Sequence, residues 1–211
     1  MKSRIVLASA AALLAAPAAL ASDWTSDGNG LGIIDNAYDG SLGSMQGISI
    51  VVSGEGTILD DIDVIMDISH TWVGDLVFKV EAPNGAVVFL VSRAGYAETG
   101  DNGGGCCGYS SDLFLGTAYE FDDASGTSSE SGFGPGATVR HSSGFSETHG
   151  LTSLNGIDPN GTWTVYIGDA AGGDVGTYDG FTLQITSSVP APGAIALLGA
   201  AGLISRRRRR N

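Results

Sequence analysis

The sequence predicts an all-β protein of the sandwich, jelly-roll or barrel type, on three observations. The apolar residues Ile62, Val64, Met66 and Ile68 alternate with a mostly polar set, namely Asp63, Ile65, Asp67 and Ser69. Pro83-Asn84-Gly85 separates two apolar segments, as a tight hairpin turn does. Between residues 22 and 188 no segment carries the apolar stripe of an amphipathic helix, whereas glycine is abundant, with 33 residues in the chain. Short strands joined by glycine-rich turns are typical of these folds.

The first predicted strands lie in the central third of the chain. The alternation over residues 62–68 has the period of a sheet with one more deeply buried face. The apolar segments 76–80 and 87–91 flank the Pro-Asn-Gly turn and predict a β-hairpin.

The last predicted strands lie near the end of the domain. Residues 163–167 and 181–185 again alternate, and the glycine-rich stretch 168–180 connects them.

The segment from 93 to 153 is rich in Gly, Ser, Asp and Thr and shows no strand pattern. A connection of this length inside a compact domain is usually functional or mobile. Two short apolar pieces, Leu113–Leu115 and Tyr119–Phe121, are expected to tether it to the strands. The length fits one domain with a core, and no internal repeat is present.

The N-terminus predicts a cleaved signal peptide over residues 1–21. Lys2 and Arg4 precede an apolar run, and Ala19-Leu20-Ala21 is the small-x-small pattern after which a signal peptidase cuts. The run is too short to span a bilayer permanently. Signal peptidase is therefore an expected partner, with Ala21 at the processing site.

The C-terminal residues 189–211 predict a sorting tail with a proline motif, a short membrane segment and the basic block Arg206–Arg210. This tail resembles the PEP-CTERM sorting signal, which implies processing by an exosortase-like membrane enzyme. The resemblance departs from the usual form at Ala191, where a Glu is common. A related rhomboid-sorted tail favours a Gly-Gly motif that is absent here. The processing residues implied are Val189, Pro190, Ala191 and Pro192.

The charge of the chain excludes polyanionic partners such as nucleic acid. All 23 acidic residues lie between the two terminal signals, where Lys79, Arg93 and Arg140 are the only basic side chains. Such a balance suits an exported, highly soluble protein that binds cations.

Residues 68–77, Ile-Ser-His-Thr-Trp-Val-Gly-Asp-Leu-Val, closely resemble the signature strand and turn of the P/Homo B domain. This jelly-roll module follows the catalytic domain in subtilisin-like proprotein convertases. Further motifs match in the family's order: Ala82-Pro83-Asn84-Gly85, Gly100-Asp101-Asn102, Phe121-Asp122-Asp123, and the block from Asn155 to Leu183.

The resemblance covers residues 45–187, with 22–44 as an N-terminal extension or first strand. It implies a jelly-roll β-sandwich of the galactose-binding-like kind with Gly/Asp-rich loops. It also implies that the block from Asn155 to Leu183 is a final hairpin. The sequence departs from the family in an enlarged middle that contains residues 103–108.

The resemblance also implies a non-catalytic chain. In the convertases the Asp, His and Ser of the triad lie in the separate subtilisin-like domain, and the residues between the terminal signals have no room for one. None of the histidines, His70, His141 and His149, stands in a subtilase motif. His70 is expected to be a structural residue at a strand end whose ring bonds to the following turn.

Bacterial relatives of this domain are often calcium-bound, and Ca²⁺ takes oxygen ligands from loop carboxylates and carbonyls. The alternative is that acids in glycine-rich loops only form solvated turns. Our hypothesis is one structural Ca²⁺ that pins the middle segment to the sandwich. The positions carried over as ligands are Asp75, Asp101, Asn102, Asp122 and Asp123, and the pair Asp169 and Asp174 is a weaker candidate.

Cys106 and Cys107 are adjacent, and exported proteins meet an oxidising compartment. Adjacent α-carbons are about 3.8 Å apart, closer than ordinary disulfides allow, so a bridge between them is strained. We favour this internal bridge over pairing with another chain or two free thiols.

The sequence thus predicts an exported binding or structural module at the cell surface or in the extracellular matrix, transiently anchored in the inner membrane by its tail. The expected ligands are exopolysaccharide or a surface protein, bound through the acidic loops. The alternative is an accessory domain that partners a separately encoded subtilisin-like serine endopeptidase.

Overall fold

The computed structural model describes residues 19–105, 107–134, 136–139, 142–143 and 150–190. These residues form ten β-strands and short 3₁₀ turns at Leu42–Ser44, Val73–Asp75, Ser129–Ser131 and Leu151–Leu154. The strands are β1 Ala19–Gly32, β2 Gln46–Val52, β3 Ile58–His70, β4 Leu76–Glu81, β5 Val87–Ser92, β6 Ala118–Phe121, β7 Thr138–Val139, β8 Ser142–Ser143, β9 Gly161–Asp169 and β10 Gly176–Ser188.

Within the described residues the strands form two five-stranded sheets that pack face to face as a sandwich, so the predicted fold class is confirmed. The first sheet has the order β1-β10-β3-β6-β7 and the second β2-β9-β4-β5-β8. The long pairs are antiparallel, whereas β8 and β7 join β5 and β6 in parallel.

The alternation that predicted β3 places one set of side chains in the core. Ile62, Val64, Met66 and Ile68 are buried, whereas the residues between them lie on the outer face of the first sheet. The two sheets meet through rings such as Phe78 and Phe121, whose edge-to-face centroids are 6.0 Å apart.

The predicted hairpin between residues 76–80 and 87–91 is confirmed as β4 and β5. Ala82 and Gly85 close the turn, since the amide of Gly85 donates to the carbonyl of Ala82 at 2.9 Å. Gly85 has a φ of 82°, which glycine adopts without steric cost.

The final hairpin expected from Asn155 to Leu183 is wrong. β9 pairs with β2 and β4 in the second sheet, whereas β10 pairs with β1 and β3 in the first. The stretch between Asp169 and Gly176 therefore crosses from one sheet to the other at the end of the sandwich. Alternation buries one face of each strand but does not determine which strand lies beside it.

The first strand lies at the edge of the first sheet and pairs with the last. Ala19 faces Ser188 and Ser26 faces Phe181, with a register shift between Asp27 and Leu31. The chain therefore enters and leaves the sandwich side by side.

The middle segment is tethered by the apolar pieces the sequence indicated, although not by all of their residues. Leu113 bridges to His70, and Tyr119 and Phe121 are fully buried in β6. Phe114 and Leu115, in contrast, are 53% and 45% exposed.

Candidate functional site

A cleft of about 440 Å³ opens at the end of the sandwich where β3 finishes and β9 crosses towards β10. The signature turn Val73–Asp75 forms one wall, and the crossing segment after Asp169 forms another. The cleft is lined by Asn36, Trp72, Asp75, Gly103, Gly105, Cys107, Ala170, Ala171, Gly172 and Asp174.

Asp75 is the most unusual group in this cleft. The residue is only 2% exposed, yet Oδ1 has no hydrogen-bond partner among the described residues. Burial, followed by the charges of Asp169 and Asp174, raises the pKa of Asp75 to about 6, and the charges of His70 and Arg93 oppose this rise. A buried carboxylate without a partner is costly, so this position favours a bound cation or a hydrogen-bond donor.

Asp169, by contrast, is fully engaged. Its Oδ2 lies 3.1 Å from Nε2 of His70, and its Oδ1 accepts from the amide of Ala171 at 3.0 Å. Nδ1 of His70 lies 3.1 Å from the nitrogen and 2.9 Å from the carbonyl oxygen of Trp72. The expectation that His70 bonds the turn after its strand is confirmed. Both ring nitrogens of His70 are thus engaged by Asp169 and Trp72.

Two further side chains with polar atoms line the cleft. Asp174 accepts from the hydroxyl of Thr71 at 2.7 Å. Nε1 of Trp72 is buried, and no described residue accepts its hydrogen. The sequence marked Trp72 only as part of the signature, with no signal that its N–H is unpaired.

Asp101 and Asn102 lie on the middle segment and make other contacts. Asp101 binds Nζ of Lys79 at 2.6 Å and also accepts a hydrogen bond from the hydroxyl of Tyr38. The ammonium of Lys79 lies 4.5 Å from the ring centroid of Phe89 and is almost fully buried. The side chain of Asn102 accepts from the amide of Gly104 at 3.0 Å and shapes its own turn. An ion pair thus pins the segment here.

A second buried ion pair anchors the same segment and was not anticipated. Arg93 and Glu98 are each 1% exposed at the side chain, with Nη2 and Oε2 2.7 Å apart. Nη1 of Arg93 also donates to the carbonyl of Gly104 at 2.6 Å. The sequence did offer one indication of this pair. Basic residues are so rare between the predicted signal peptide and the sorting tail that each of them needs a structural explanation.

Asp122 and Asp123 follow β6, beside the other half of β3. Asp122 accepts from the amide of Ala124 at 2.6 Å, and Asp123 from that of Thr152 at 2.8 Å. Burial, followed by the charge of Asp122, raises the pKa of Asp63 to about 7. Asp63 precedes His70 by seven residues on one strand, which is roughly 23 Å at about 3.3 Å per residue.

The six predicted metal ligands therefore do not converge on one point. Asp75 and Asp169 lie close together with Asp174 beside them, whereas Asp122 and Asp123 lie beside the other half of β3. Across the part of the chain that the structure describes, no three or more His, Cys, Asp or Glu side chains are grouped so as to hold a metal ion.

Cys107 borders the cleft and is disulfide-bonded. Its predicted partner Cys106 lies outside the described residues, so the pairing stays a prediction. The neighbouring segment approaches the signature turn closely. A Cβ built on Gly74 would lie 2.4 Å from Cα of Gly108, and the amide of Gly74 donates to the carbonyl of Tyr109 at 2.9 Å.

Of the predicted processing residues, Ala21 lies at the other end of β10 from the cleft. Ala21 pairs with Thr186 within the first sheet, and Val189 and Pro190 directly follow Ser188. Ala191 and Pro192, like most of both predicted signals, lie outside the described residues. The described ranges contain no helix with the length and apolar character that crossing a membrane requires.

Comparison with known proteins places most of the sandwich in one family model. The model of the proprotein convertase P-domain matches residues 59–185. No curated protein matches the chain.

Among solved structures, the serine protease of Aeromonas sobria in complex with the chaperone ORF2 is similar at 13% identity and a TM-score of 0.46. The match covers 83% of the present chain and 28% of the matched Aeromonas chain. The structure of the serine protease of Aeromonas sobria on its own is similar at 14% identity and a TM-score of 0.45. That match covers 82% of the present chain and 28% of the protease chain. The chain therefore spans less than a third of the length of these proteins.

Proposed function

The chain belongs to the family of proprotein convertase P-domains, and we propose that it is an exported, non-catalytic module that binds its ligand in the cleft at Asp75. The observation that carries this proposal is the buried, unpaired carboxylate oxygen of Asp75 in an open cleft. Ligand sites are usually preformed concave surfaces with a few polar groups, and the size of this cleft falls in their range.

The sequence supports the exported part of this proposal. Residues 1–21 have the pattern of a signal peptide, and residues 189–211 resemble a PEP-CTERM tail. Together they imply delivery to the cell surface or extracellular matrix through signal peptidase and an exosortase-like enzyme. The non-catalytic part is supported by His70, whose ring nitrogens are both held by Asp169 and Trp72.

We include Ca²⁺ in the proposal, confined to the cleft. Asp75 supplies an oxygen without a partner, and the carboxylates of Asp169 and Asp174 add negative charge beside it. Because three acidic side chains do not converge there, backbone carbonyls and water would complete the coordination. Bound calcium would remove the cost of burying the charge of Asp75.

The role foreseen for calcium in the sequence, pinning the middle segment, is already served by two ion pairs. Lys79 binds Asp101, and Arg93 binds Glu98. Asp101, Asn102, Asp122 and Asp123 are therefore not part of the proposed ion site.

Calorimetric titration of the chelated full-length chain with Ca²⁺, together with its thermal unfolding, tests the proposal. We expect saturable binding and a raised melting temperature, because a ligand that binds only the folded state stabilises it. Asp75→Asn should abolish both effects. Asp60→Asn, the same change at an exposed position on β3, should preserve them. Equal melting temperatures with calcium and with chelator would remove calcium from the proposal.

A second function is favoured by the family itself. P-domains accompany subtilisin-like catalytic domains in proprotein convertases, so the chain is alternatively an accessory domain for a separately encoded protease of that type. Size-exclusion chromatography of the chain mixed with a subtilisin-like protease encoded in the same genome tests this alternative. Co-elution with a raised melting temperature of the protease would favour it, and separate elution would favour the independent binding module.

A further inference from the structure

We propose that the cleft at Asp75 binds the hydroxyl groups of a neutral carbohydrate. This inference rests on the proposed binding function and names its ligand class. It starts from two groups of opposite kind that are buried and unpaired in the same cleft: the acceptor Oδ1 of Asp75 and the donor Nε1–H of Trp72.

The pairing of these groups restricts the chemistry of the ligand. A bare cation satisfies the carboxylate but offers nothing to the indole N–H. An anion accepts from the indole but is repelled by Asp75, Asp169 and Asp174. A carbohydrate does both, because its several hydroxyl groups can donate a hydrogen to Asp75 and accept one from Trp72 through a lone pair.

The size of the cleft separates a sugar from a single water molecule. A water molecule occupies about 30 Å³ in the liquid, whereas the cleft has a volume of about 440 Å³. Its wall is made largely of residues with little or no side chain, including Gly103, Gly105, Ala170 and Gly172, which leave room for a ring. Trp72 adds an aromatic surface against which the C–H face of a pyranose can pack.

The cleft also stands clear of the point where the chain leaves the sandwich. Gly176 pairs with His70 beside the cleft, whereas Ser188 pairs with Ile58 at the opposite end of β10. The two ends are separated by twelve residues of strand, roughly 40 Å. The cleft therefore lies at the far end of β10 from Ser188.

The test is saturation-transfer NMR and calorimetry of the full-length chain with neutral sugars, namely glucose, galactose, mannose and their β-linked disaccharides. Galacturonic acid is the anionic comparison. Each titration is run in calcium and again in chelator. We expect saturable binding of at least one neutral sugar and weaker binding of galacturonic acid.

Trp72→Phe keeps an aromatic ring but removes the N–H, and it should weaken sugar binding about fivefold or more, as the loss of a buried hydrogen bond does. Trp24→Phe is the matched control, because Trp24 lies on β1 and its Nε1 donates to Glu55 away from the cleft. It should leave the sugar affinity unchanged. Melting temperatures of both variants verify that they are folded.

The outcomes separate the two proposals. Sugar binding that persists in chelator, without any calcium uptake, upholds the carbohydrate site and removes calcium from the proposed function. Calcium binding without saturable sugar binding overturns the carbohydrate site alone. Equal sugar affinity in Trp72→Phe and the parent chain also overturns it, since the indole N–H would then be paired only with water.

Discussion

The carboxylate of Glu55 accepts a hydrogen bond from the indole Nε1 of Trp24 at 2.8 Å and thereby ties the loop before β3 to the first strand. The same carboxylate accepts from the hydroxyls of Ser22 and Ser187. Glu55 is thus the point at which the first and last strands and the β2–β3 connection meet. It stands beside the expected start of the mature chain after Ala21.

Replacing Glu55 by Gln should lower the free energy of unfolding by about 1–2 kcal/mol, because several charge-assisted hydrogen bonds become neutral. Burial raises the pKa of Glu55, but the bonds from Ser22, Ser187 and Trp24 outweigh it, and the net pKa is lowered. Because the pKa of Glu55 is lower in the folded than in the unfolded chain, its charge stabilises the fold fully above its unfolded-state pKa. This stabilisation is lost as the pH falls through the pKa of Glu55 in the folded chain.

Urea unfolding of Glu55→Gln and the parent chain at pH 7 and pH 3 checks this prediction. The difference in free energy of unfolding between the variant and the parent chain should be larger at pH 7 than at pH 3. A difference that does not change with pH would contradict a role for the charge of Glu55.

Replacing Asp101 by Asn should cost about 2 kcal/mol of stability. The ammonium of Lys79 is 4% exposed and would stay buried without its counter-charge. The figure lies below the usual cost of breaking a buried pair because Asp101 is 23% exposed.

A double-mutant cycle with Lys79→Met measures the interaction. The double variant should recover more than half of the loss, since it removes the unpaired charge and leaves an apolar chain beside Tyr38 and Phe89. Additive losses in chemical denaturation would mean that the two side chains act independently.

Replacing Asp63 by Asn should stabilise the protein above neutral pH. Burial and the neighbouring charge of Asp122 raise the pKa of Asp63 to about 7, so folding favours its protonated form. The folded chain therefore loses stability as pH rises from the unfolded pKa near 4 to about 7. The loss stays constant above that pH.

We expect a gain of about 1 kcal/mol at pH 8, after discounting for the partial exposure of Asp63, and little change at pH 4. Melting temperature measured from pH 4 to pH 8 checks it. Asp60→Asn, an exposed position on the same strand, should not flatten the pH profile.

Replacing Gly74 by Ala should cost about 1–3 kcal/mol through overpacking. The added Cβ would lie 2.4 Å from Cα of Gly108, and backbone cannot yield as a flexible side chain does. The segment beside Cys107 must then move away from the cleft. Gly32→Ala, where a Cβ meets nothing within 4 Å, is the control and should be near neutral in urea denaturation.

Much of the fold follows from local patterns. Alternation along 62–68 predicted which face of β3 is buried, and Pro83-Asn84-Gly85 predicted the β4–β5 hairpin. Both patterns concern neighbours in the chain. The predicted final hairpin failed because β9 and β10, although close in sequence, belong to different sheets.

The candidate site was only partly foreseen for the same reason. The signature motif identified Asp75 as a candidate ligand. Asp101 was a candidate on the same kind of motif evidence, but its environment in the structure is different. Asp101 forms an ion pair with Lys79. The two residues are far apart in the chain, so no local sequence pattern predicts this contact. The sequence gave no sign that the indole N–H of Trp72 is unpaired, and the rarity of basic residues marked Arg93 without indicating its partner Glu98.

The sequence by itself determined the class of fold, the family and the acidic character of the region between the two predicted signals. These properties depend on composition and on patterns among side chains a few residues apart, and both can be read directly from the sequence. The tertiary structure decided which acids are paired and which is not. Asp75 alone of the predicted ligands keeps a buried, unpaired oxygen, because burial and partners depend on segments brought together from β3, β9 and the middle of the chain.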